Sequence, residues 1–291
     1  MNEQFRGEYP AGVMCRPRPL RACLSIFRIK LLESLQYRLA AFTGAATGVF
    51  WALIEITVYI VFFTYAENAS VPFISNGLTL PQVISYSWLG QVLFGLQVTA
   101  IEGDILEKIT NGDVGLELCR PLNLFGQWYA RTGASHLSTV LLRGGMTLIA
   151  GLLMPEPYRL SAPVSWAGFL CFLCSITSAF LLCTAFGTFA SVIRLNIAWG
   201  NGPMYIMLLL GSVLSGNYLP LQLWPQALQP FLLVQPFAGY LDIPLRLYLG
   251  TMPTSQAFAA IALQLIWTAV FVLAGVLLLK RRLADIVVQG G

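Results

Sequence analysis

Long apolar runs are the feature of this 291-residue sequence that most limits its fold. Several of them reach about 20 residues, the length at which an α-helix crosses a hydrocarbon core of about 30 Å. Hydrophobic residues make up 57 % of the chain and charged residues only 10 %, whereas soluble domains carry about 25 % charged residues. A chain of this length cannot bury so much apolar surface in its own core, so lipid is the expected solvent. The runs do not alternate every second residue, which argues against an outer-membrane β-barrel.

The runs predict an all-α polytopic integral membrane protein with six transmembrane helices in a single domain, residues 1–291. In chain order the predicted spans are 41–65, 82–101, 129–153, 166–193, one from residue 203 that breaks at 216–220, and 257–279. Short cytoplasmic loops are enriched in Lys and Arg, so the basic residues set the orientation. With both termini in the cytoplasm, only Arg159 and Arg246 of the 17 Lys and Arg residues lie outside, and Arg143 lies within the third span.

Two segments outside these spans have patterns of their own. Residues 1–40 predict a cytoplasmic tail followed by an amphipathic helix, with leucines at three- and four-residue spacing and most basic residues off that stripe. Such a helix is typical of the membrane interface, and a snorkelling extension of the first span is the alternative. Residues 217–254 are apolar, aromatic and broken by Pro. They predict a re-entrant pair of half-helices on the outer side, or an interfacial loop with an aromatic belt.

Two ionisable residues lie inside the predicted membrane, Glu55 in the first span and Arg143 in the third. Such residues are costly there and face the protein interior or a wet cavity. Counted from the predicted inner ends of their spans, both lie about 21 Å deep. We expect them to pair, to line a substrate pathway or, for Arg143, to snorkel outward. Gly44 and Gly48 form a small-xxx-small spacing that predicts close helix packing, either with a second subunit or within the chain.

The densest charged stretch, residues 102–127, lies between the second and third spans on the predicted cytoplasmic face. Ile101, Ile105 and Ile109 fall on one helical face, and Asn111-Gly112-Asp113 is typical of a turn. The stretch therefore predicts two short helices that dock in the groove of a partner, or a solvated connection that rests on the bilayer.

This stretch resembles the segment after the second span of bacterial type-two ABC exporter permeases, in which a Gly-acid-Ile stretch leads into a Leu-x-Arg-Pro-Leu/Val-Asn run. The corresponding residues here are Gly112-Asp113-Val114 and Leu118-Cys119-Arg120-Pro121-Leu122-Asn123. The resemblance implies a permease in the bacterial cytoplasmic membrane, paired with a second permease, identical or homologous, and with separate ABC ATPase subunits that bind ATP and Mg²⁺. It implies that the stretch receives the movement of the ATPase. The expected coupling residues are Gly103, Asp104, Lys108, Gly112, Asp113, Leu118, Arg120 and Pro121.

Motifs for chemistry within the chain are absent from the sequence. There is no G-x-x-x-x-G-K-[ST] loop for ATP and no G-x-S-x-G, H-E-x-x-H or Cys/His metal cluster. The single histidine, His136, is expected to be a hydrogen-bonded packing residue. The scattered basic residues do not predict nucleic-acid binding. The main hypothesis is therefore a non-catalytic transport subunit, and the alternatives are a membrane-embedded lipid-modifying enzyme and an ATP-independent channel or scaffold.

Overall fold

A computed structural model describes residues 19–69, 77–98, 101–118, 122–196 and 202–285. Regular structure in these residues is helical throughout, as expected where backbone polar groups must be satisfied without water. The α-helices are α1 (Pro19–Gln36), α2 (Arg38–Ala69), α3 (Leu80–Val92), α4 (Gly103–Asn111), α5 (Val114–Leu118), α6 (Leu124–Thr139), α7 (Gly145–Leu153), α8 (Trp166–Asn196), α9 (Gly202–Leu214), α10 (Gln229–Val234), α11 (Asp242–Leu249) and α12 (Thr254–Asp285).

Four helical stretches within the described residues are long and apolar enough to cross a membrane. They are Arg38–Tyr65, Leu124–Leu153, Trp166–Leu195 and Thr254–Leu283. These stretches correspond to the predicted first, third, fourth and sixth spans. The second of them joins α6 to α7 through a π-helical turn at Val140–Gly144. The chain is therefore an all-helical, multi-pass membrane protein.

The predicted second span, 82–101, takes a different form from a regular spanning helix. α3 ends at Val92, and a 3₁₀ turn follows over Leu93–Leu96. The residues from Val83 to Gln91 are all buried, including polar Ser85, Ser87 and Gln91. α3 is thus enclosed by protein on every side.

Two glycines bring the 3₁₀ turn after α3 against the π-helical turn of the third span. A Cβ atom on Gly95 would lie 2.8 Å from the backbone N of Val140. A Cβ atom on Gly144 would collide with the backbone carbonyl of Val92. The two interrupted helices therefore meet backbone to backbone.

α8 is the central span of the fold. Half of its most apolar window is buried, against 17 % for the windows in α2 and α12. It packs against α6, α11 and α12, and Leu182 and Phe186 contribute to a core that also holds Trp88 and Leu241.

The segment 217–254 begins where α9 ends and consists of short helices and turns. Gly216 follows α9 with a φ of 87°, and an added Cβ atom would strike the hydroxyl of Tyr86, so only glycine fits there. The Tyr86 hydroxyl lies 3.0 Å from the carbonyl of Gly216 and 3.2 Å from Oδ1 of Asp242. Asp242 is fully buried and forms an ion pair with Arg246. The hydrogen bonds of Tyr86 therefore hold the start of the segment and Asp242 against α3.

Candidate coupling site

The predicted pair of short helices is present as α4 and α5. Gly112 ends α4 in the left-handed conformation, with a φ of 80°, that favours glycine after a helix. Asp104 in the first turn and Lys108 in the last turn of α4 complement the helix dipole. Two of the expected coupling residues, Arg120 and Pro121, lie outside the described residues.

The apolar side of this pair faces the protein. Ile105 is fully buried and Val114 is 5 % exposed, and Ile101 and Ile109 pack at the edge of the same cluster. The other buried members of the cluster are Leu124, Phe125, Trp128, Val192 and Leu279. The predicted isoleucine face therefore packs on α6, α8 and α12 rather than resting on a bilayer.

Glu117 of α5 is the polar centre of the site. Its carboxylate accepts hydrogen bonds from Lys108 Nζ at 2.6 Å, Arg131 Nη1 at 2.6 Å and Trp128 Nε1 at 2.9 Å, and the residue is 3 % exposed. Burial alone raises the pKa of Glu117, but these donors and the charge of Arg131 outweigh it and lower the pKa to about 2. Glu117 therefore joins α4 and α5 to α6 as a buried, ionised group.

Lys30 joins the same region to α1. Its Nζ atom lies 2.6 Å from Asp104, 3.4 Å from Glu102 and 3.5 Å from Glu33. Burial lowers the pKa of Lys30, but the hydrogen bond to Asp104 and the three carboxylates outweigh it and raise the pKa. Lys30 thus holds the start of α4, whereas Lys108 joins the last turn of α4 to Glu117.

The remaining surface of α4 and α5 is exposed. It includes the expected residues Gly103, Gly112, Asp113 and Leu118. Leu116 is 70 % exposed between them, although it is a large apolar residue. We call this surface, formed by these five residues, the coupling surface.

Asp104 and Lys108 form ion pairs within the chain, and their role in coupling stays a prediction. Glu117, Arg131 and Lys30 also belong to this site and were not among the expected coupling residues. The sequence marks Glu117 as unusual in one respect only, because it is an acidic residue among the apolar residues of a short helix. Its partner Arg131 lies 14 residues away along the chain, so the pairing becomes visible only in the fold.

The two intramembrane charges, Glu55 and Arg143, both have Gln91 as a neighbour. Of the ion pairs between described residues, none joins Glu55 to Arg143. Arg143 Nη2 donates to Gln91 Oε1 at 3.3 Å, and the guanidinium lies 4.0 Å from the centre of the Phe94 ring. The Glu55 carboxyl lies near Ser87 and Gln91. Gln91 is therefore a neighbour of both charges.

The depths of these charges differ from the expectation. Arg143 lies along α2 beside Gly44 and Gly48, where added Cβ atoms would stand 3.4 Å from its Cδ and 3.3 Å from its Nη2. Glu55 is two turns farther along α2, about 10 Å. The count from residues 41 and 129 assumed equal inner ends for the two spans, whereas the helix that contains Arg143 begins at Leu124. Gly44 and Gly48 thus lie close to Arg143 within the chain, and subunit packing at these glycines stays a prediction.

The sequence matches a model of a known protein family. The family model described as "ABC-2 family transporter protein" matches residues 49–290, which include α3 to α12 and thus Glu117, Arg131 and the coupling surface. Searches of curated proteins and of solved structures gave no match. Because the match covers more than half of the sequence and the fold is that of a multi-pass helical protein, the chain belongs to the ABC-2 transporter family, as a membrane-embedded transport subunit.

Proposed function

We propose that the chain is the permease subunit of an ATP-driven exporter in a bacterial cytoplasmic membrane. A separate ABC ATPase, which binds ATP and Mg²⁺, docks on the coupling surface. A second permease, identical or homologous, completes the pathway, and lipid covers the remaining apolar faces. Association with an ABC ATPase is what membership of the family implies.

The observation that carries the proposal is the buried junction at Glu117. A force applied to Leu116 or Asp113 reaches α6 through the hydrogen bonds from Trp128 and Arg131 to Glu117, because an ionised group with three donors has little freedom to move. α6 forms the first part of the third span, so a displacement of α5 moves the foot of a membrane helix. ATP binding then shifts the paired membrane halves and drives substrate outward.

Six spans with both termini inside complete the proposal. The 3₁₀ turn lengthens α3 to about 28 Å, close to the thickness of the hydrocarbon core. In this arrangement α1 lies in the inner interface, where Leu20 and Leu24 are 74 % and 59 % exposed, and residues 217–254 enter the membrane from outside.

The test compares Glu117→Gln with Glu107→Gln, an exposed acid of the same segment. Both are made in a variant without native cysteines that carries Tyr218→Cys in the proposed outer segment, where the native side chain is 60 % exposed. The complex is trapped with ATP and vanadate, and the rate of thiol labelling at position 218 is measured. We expect trapping to change this rate in the parent and in Glu107→Gln, and Glu117→Gln to lose most of the change while the ATPase still co-purifies.

Two results contradict the proposal at different points. A full response in Glu117→Gln rules out coupling through this junction. A parent chain that neither binds the ABC ATPase nor stimulates its hydrolysis rules out the ATP-driven function itself.

A further inference from the structure

A polar cavity of about 500 Å³ lies between the start of α3, the turns that follow α9 and the end of α11. Of the described residues, four glutamines, two glycines, Thr251 and Arg246 line it, and none of them has an acidic or an apolar side chain. Such a wall is unusual in a chain with 57 % hydrophobic residues. Gly77, Gln226 and Gly250 are exposed, so the cavity opens at the surface, which is the outer one in the proposed topology.

Arg246 is the single charged residue among the described residues of this wall. It is 8 % exposed, and the two ends of its guanidinium have different neighbours. Nε forms the ion pair with Asp242, which is fully buried and is not part of the wall. Nη2 lies 3.5 Å from Oε1 of Gln229, which is a wall residue. The Nη end of the guanidinium therefore lies at the cavity.

Most of the hydrogen-bonding capacity of Arg246 is left over. A guanidinium has five N–H donors. Within the described part of the chain, Nε donates to Asp242 and Nη2 donates to Gln229 at 3.5 Å, which is longer than an ordinary hydrogen bond. Nη1 has no partner in that part and is not enclosed by it. Three N–H donors, two of them on Nη1, therefore remain for a ligand.

An oxyanion is the ligand group that fits these donors. A carboxylate or a phosphate accepts two parallel N–H bonds from arginine, and such charge-assisted bonds are about twice as strong as bonds to a neutral oxygen. Asp242 occupies only the Nε side, and it also accepts bonds from the Tyr86 hydroxyl and the Leu221 backbone N–H, both at 3.2 Å. We propose that this cavity binds the oxyanion group of a ligand, a carboxylate or a phosphate, at the Nη edge of Arg246.

Backbone contacts hold the wall in place before a ligand binds. Gln229 Nε2 donates to the carbonyls of Leu221 at 2.6 Å and Trp224 at 3.1 Å, which leaves its Oε1 toward the guanidinium. Gln82 Nε2 donates to the carbonyl of Leu249 at 3.0 Å. Side chains that are already held lose little freedom when a ligand arrives, so the wall is preorganised.

Binding is measured on the full-length chain in phosphatidylcholine nanodiscs, in which both faces of the membrane are accessible. Native cysteines are replaced, and Gln226→Cys at the exposed edge of the cavity carries a trifluoromethyl tag, so its ¹⁹F resonance reports the wall. The probes are inorganic phosphate, acetate and acetamide, which has the shape of acetate without the charge. At constant ionic strength we expect a saturable shift with phosphate and with acetate, and none with acetamide.

Two variants change the anion site, and a third is the matched control. Arg246→Lys keeps a charge for Asp242 but lacks the planar fork, so we expect phosphate to bind about tenfold more weakly. Thr251→Asp keeps an acceptor for Gln222 Nε2, which donates to the Thr251 hydroxyl at 2.6 Å, and adds a negative charge to the wall. We expect it to lose phosphate binding by repulsion. Ser255→Asp adds the same charge at an exposed position outside the wall and is expected to bind as the parent does.

The lipid composition distinguishes a lipid headgroup from a soluble anion as the source of the oxyanion. Nanodiscs that contain phosphatidylglycerol are compared with phosphatidylcholine nanodiscs, both without soluble phosphate or acetate. If phosphatidylglycerol shifts the resonance of the parent and of Ser255→Asp but not that of Thr251→Asp, the oxyanion is a lipid phosphate. If only phosphate and acetate shift it, the ligand is a soluble anion.

Several results overturn the proposal. The absence of a saturable shift with both anions shows that no oxyanion binds, and an equal shift with acetamide shows that the charge is not recognised. A phosphate affinity of Thr251→Asp equal to that of Ser255→Asp excludes this cavity, and this comparison decides even if Arg246→Lys does not fold. The measurement uses no ATPase, so its failure leaves the proposed coupling untouched.

Discussion

Glu117 gives the coupling site a defined response to acid. Its pKa falls from an ordinary 4.5 to about 2 in the folded chain. A group with a depressed folded pKa stabilises the fold above its unfolded pKa, and that contribution is lost as the pH falls from about 4.5 toward about 2. Solvent screening keeps the corresponding contribution to folding stability below the value of about 3 kcal/mol that a shift of this size represents.

We therefore expect Glu117→Gln to be less stable than the parent near neutral pH and the difference to shrink below about pH 4.5. Thermal unfolding of the two proteins in the same nanodiscs measures it. Other carboxyls titrate in both proteins and cancel in the comparison. If the difference in stability between the parent and Glu117→Gln stays constant down to about pH 3, an ionised Glu117 does not stabilise the fold.

Gln91 accepts a hydrogen bond from the partly buried Arg143. Gln91→Leu removes the acceptor of Arg143 Nη2 and leaves a partly buried guanidinium with the face of Phe94. We expect a loss of about 1–3 kcal/mol in unfolding free energy, because a buried donor loses its partner. Gln256→Leu, the same change at an exposed position, is the control. Equal melting temperatures for the two variants contradict a stabilising role for Gln91.

Residue types in the sequence indicated which side chains are unusual but not which neighbours they have. Glu55 and Arg143 were identified as charges inside the membrane, and their shared neighbour was not, because Gln91 belongs to a third helix. Likewise, Lys30 was visible only as one basic residue of an amphipathic helix. Its three carboxylate neighbours come from its own helix and from the start of α4.

At the scale of elements, the crossing of the 3₁₀ turn and the π-helical turn depends on glycine. Gly144 faces the carbonyl of Val92, and its neighbour Gly145 has nothing within 4 Å of an added Cβ atom. Gly144→Ala forces two backbones apart, which costs about 1–3 kcal/mol. Gly145→Ala is expected to be neutral or stabilising, by up to about 1 kcal/mol, because Ala favours helix.

A comparison of Gly144→Ala with Gly145→Ala separates the effect of backbone packing on stability from the effect of helix propensity. Melting temperatures of the two variants, each in the same lipid, decide between the effects. If both variants lose the same stability, helix propensity or lipid contact controls this region, and backbone contact at Gly144 does not.

Apolar periodicity was sufficient for the long elements and insufficient for this crossing. The predicted spans 41–65 and 166–193 lie within the long helices α2 and α8, because a long run of apolar residues has few alternatives in lipid. The second span was predicted to reach residue 101 as one helix. Its α-helical part ends at Val92, where the approach of Val140 and Gly144 replaces the last turns by a 3₁₀ turn. The hydropathy pattern does not predict a contact between segments that are far apart in the sequence.

At the scale of the whole molecule, α3 decides the topology. It is buried on every side, so its length need not match the bilayer as a lipid-facing helix must. If α3 crosses the membrane, α4 and α5 lie inside with the N-terminus, and the loop that contains Arg159 lies outside. If α3 does not cross, these two positions exchange sides, because every later segment is inverted.

Cysteine labelling distinguishes these two topologies with two positions. Asn111 and Arg159 are both exposed, one before and one after the span Leu124–Leu153, so each replacement by Cys in a chain without native cysteines is accessible on one side only. The basic residues favour the crossing, because Lys108 and Arg131 then lie inside. We expect an impermeant thiol reagent to label Arg159→Cys in intact cells and Asn111→Cys only after permeabilisation. With the N-terminus inside, the reverse pattern excludes the crossing of α3, and it puts the coupling surface on the side of the membrane that has no ATP.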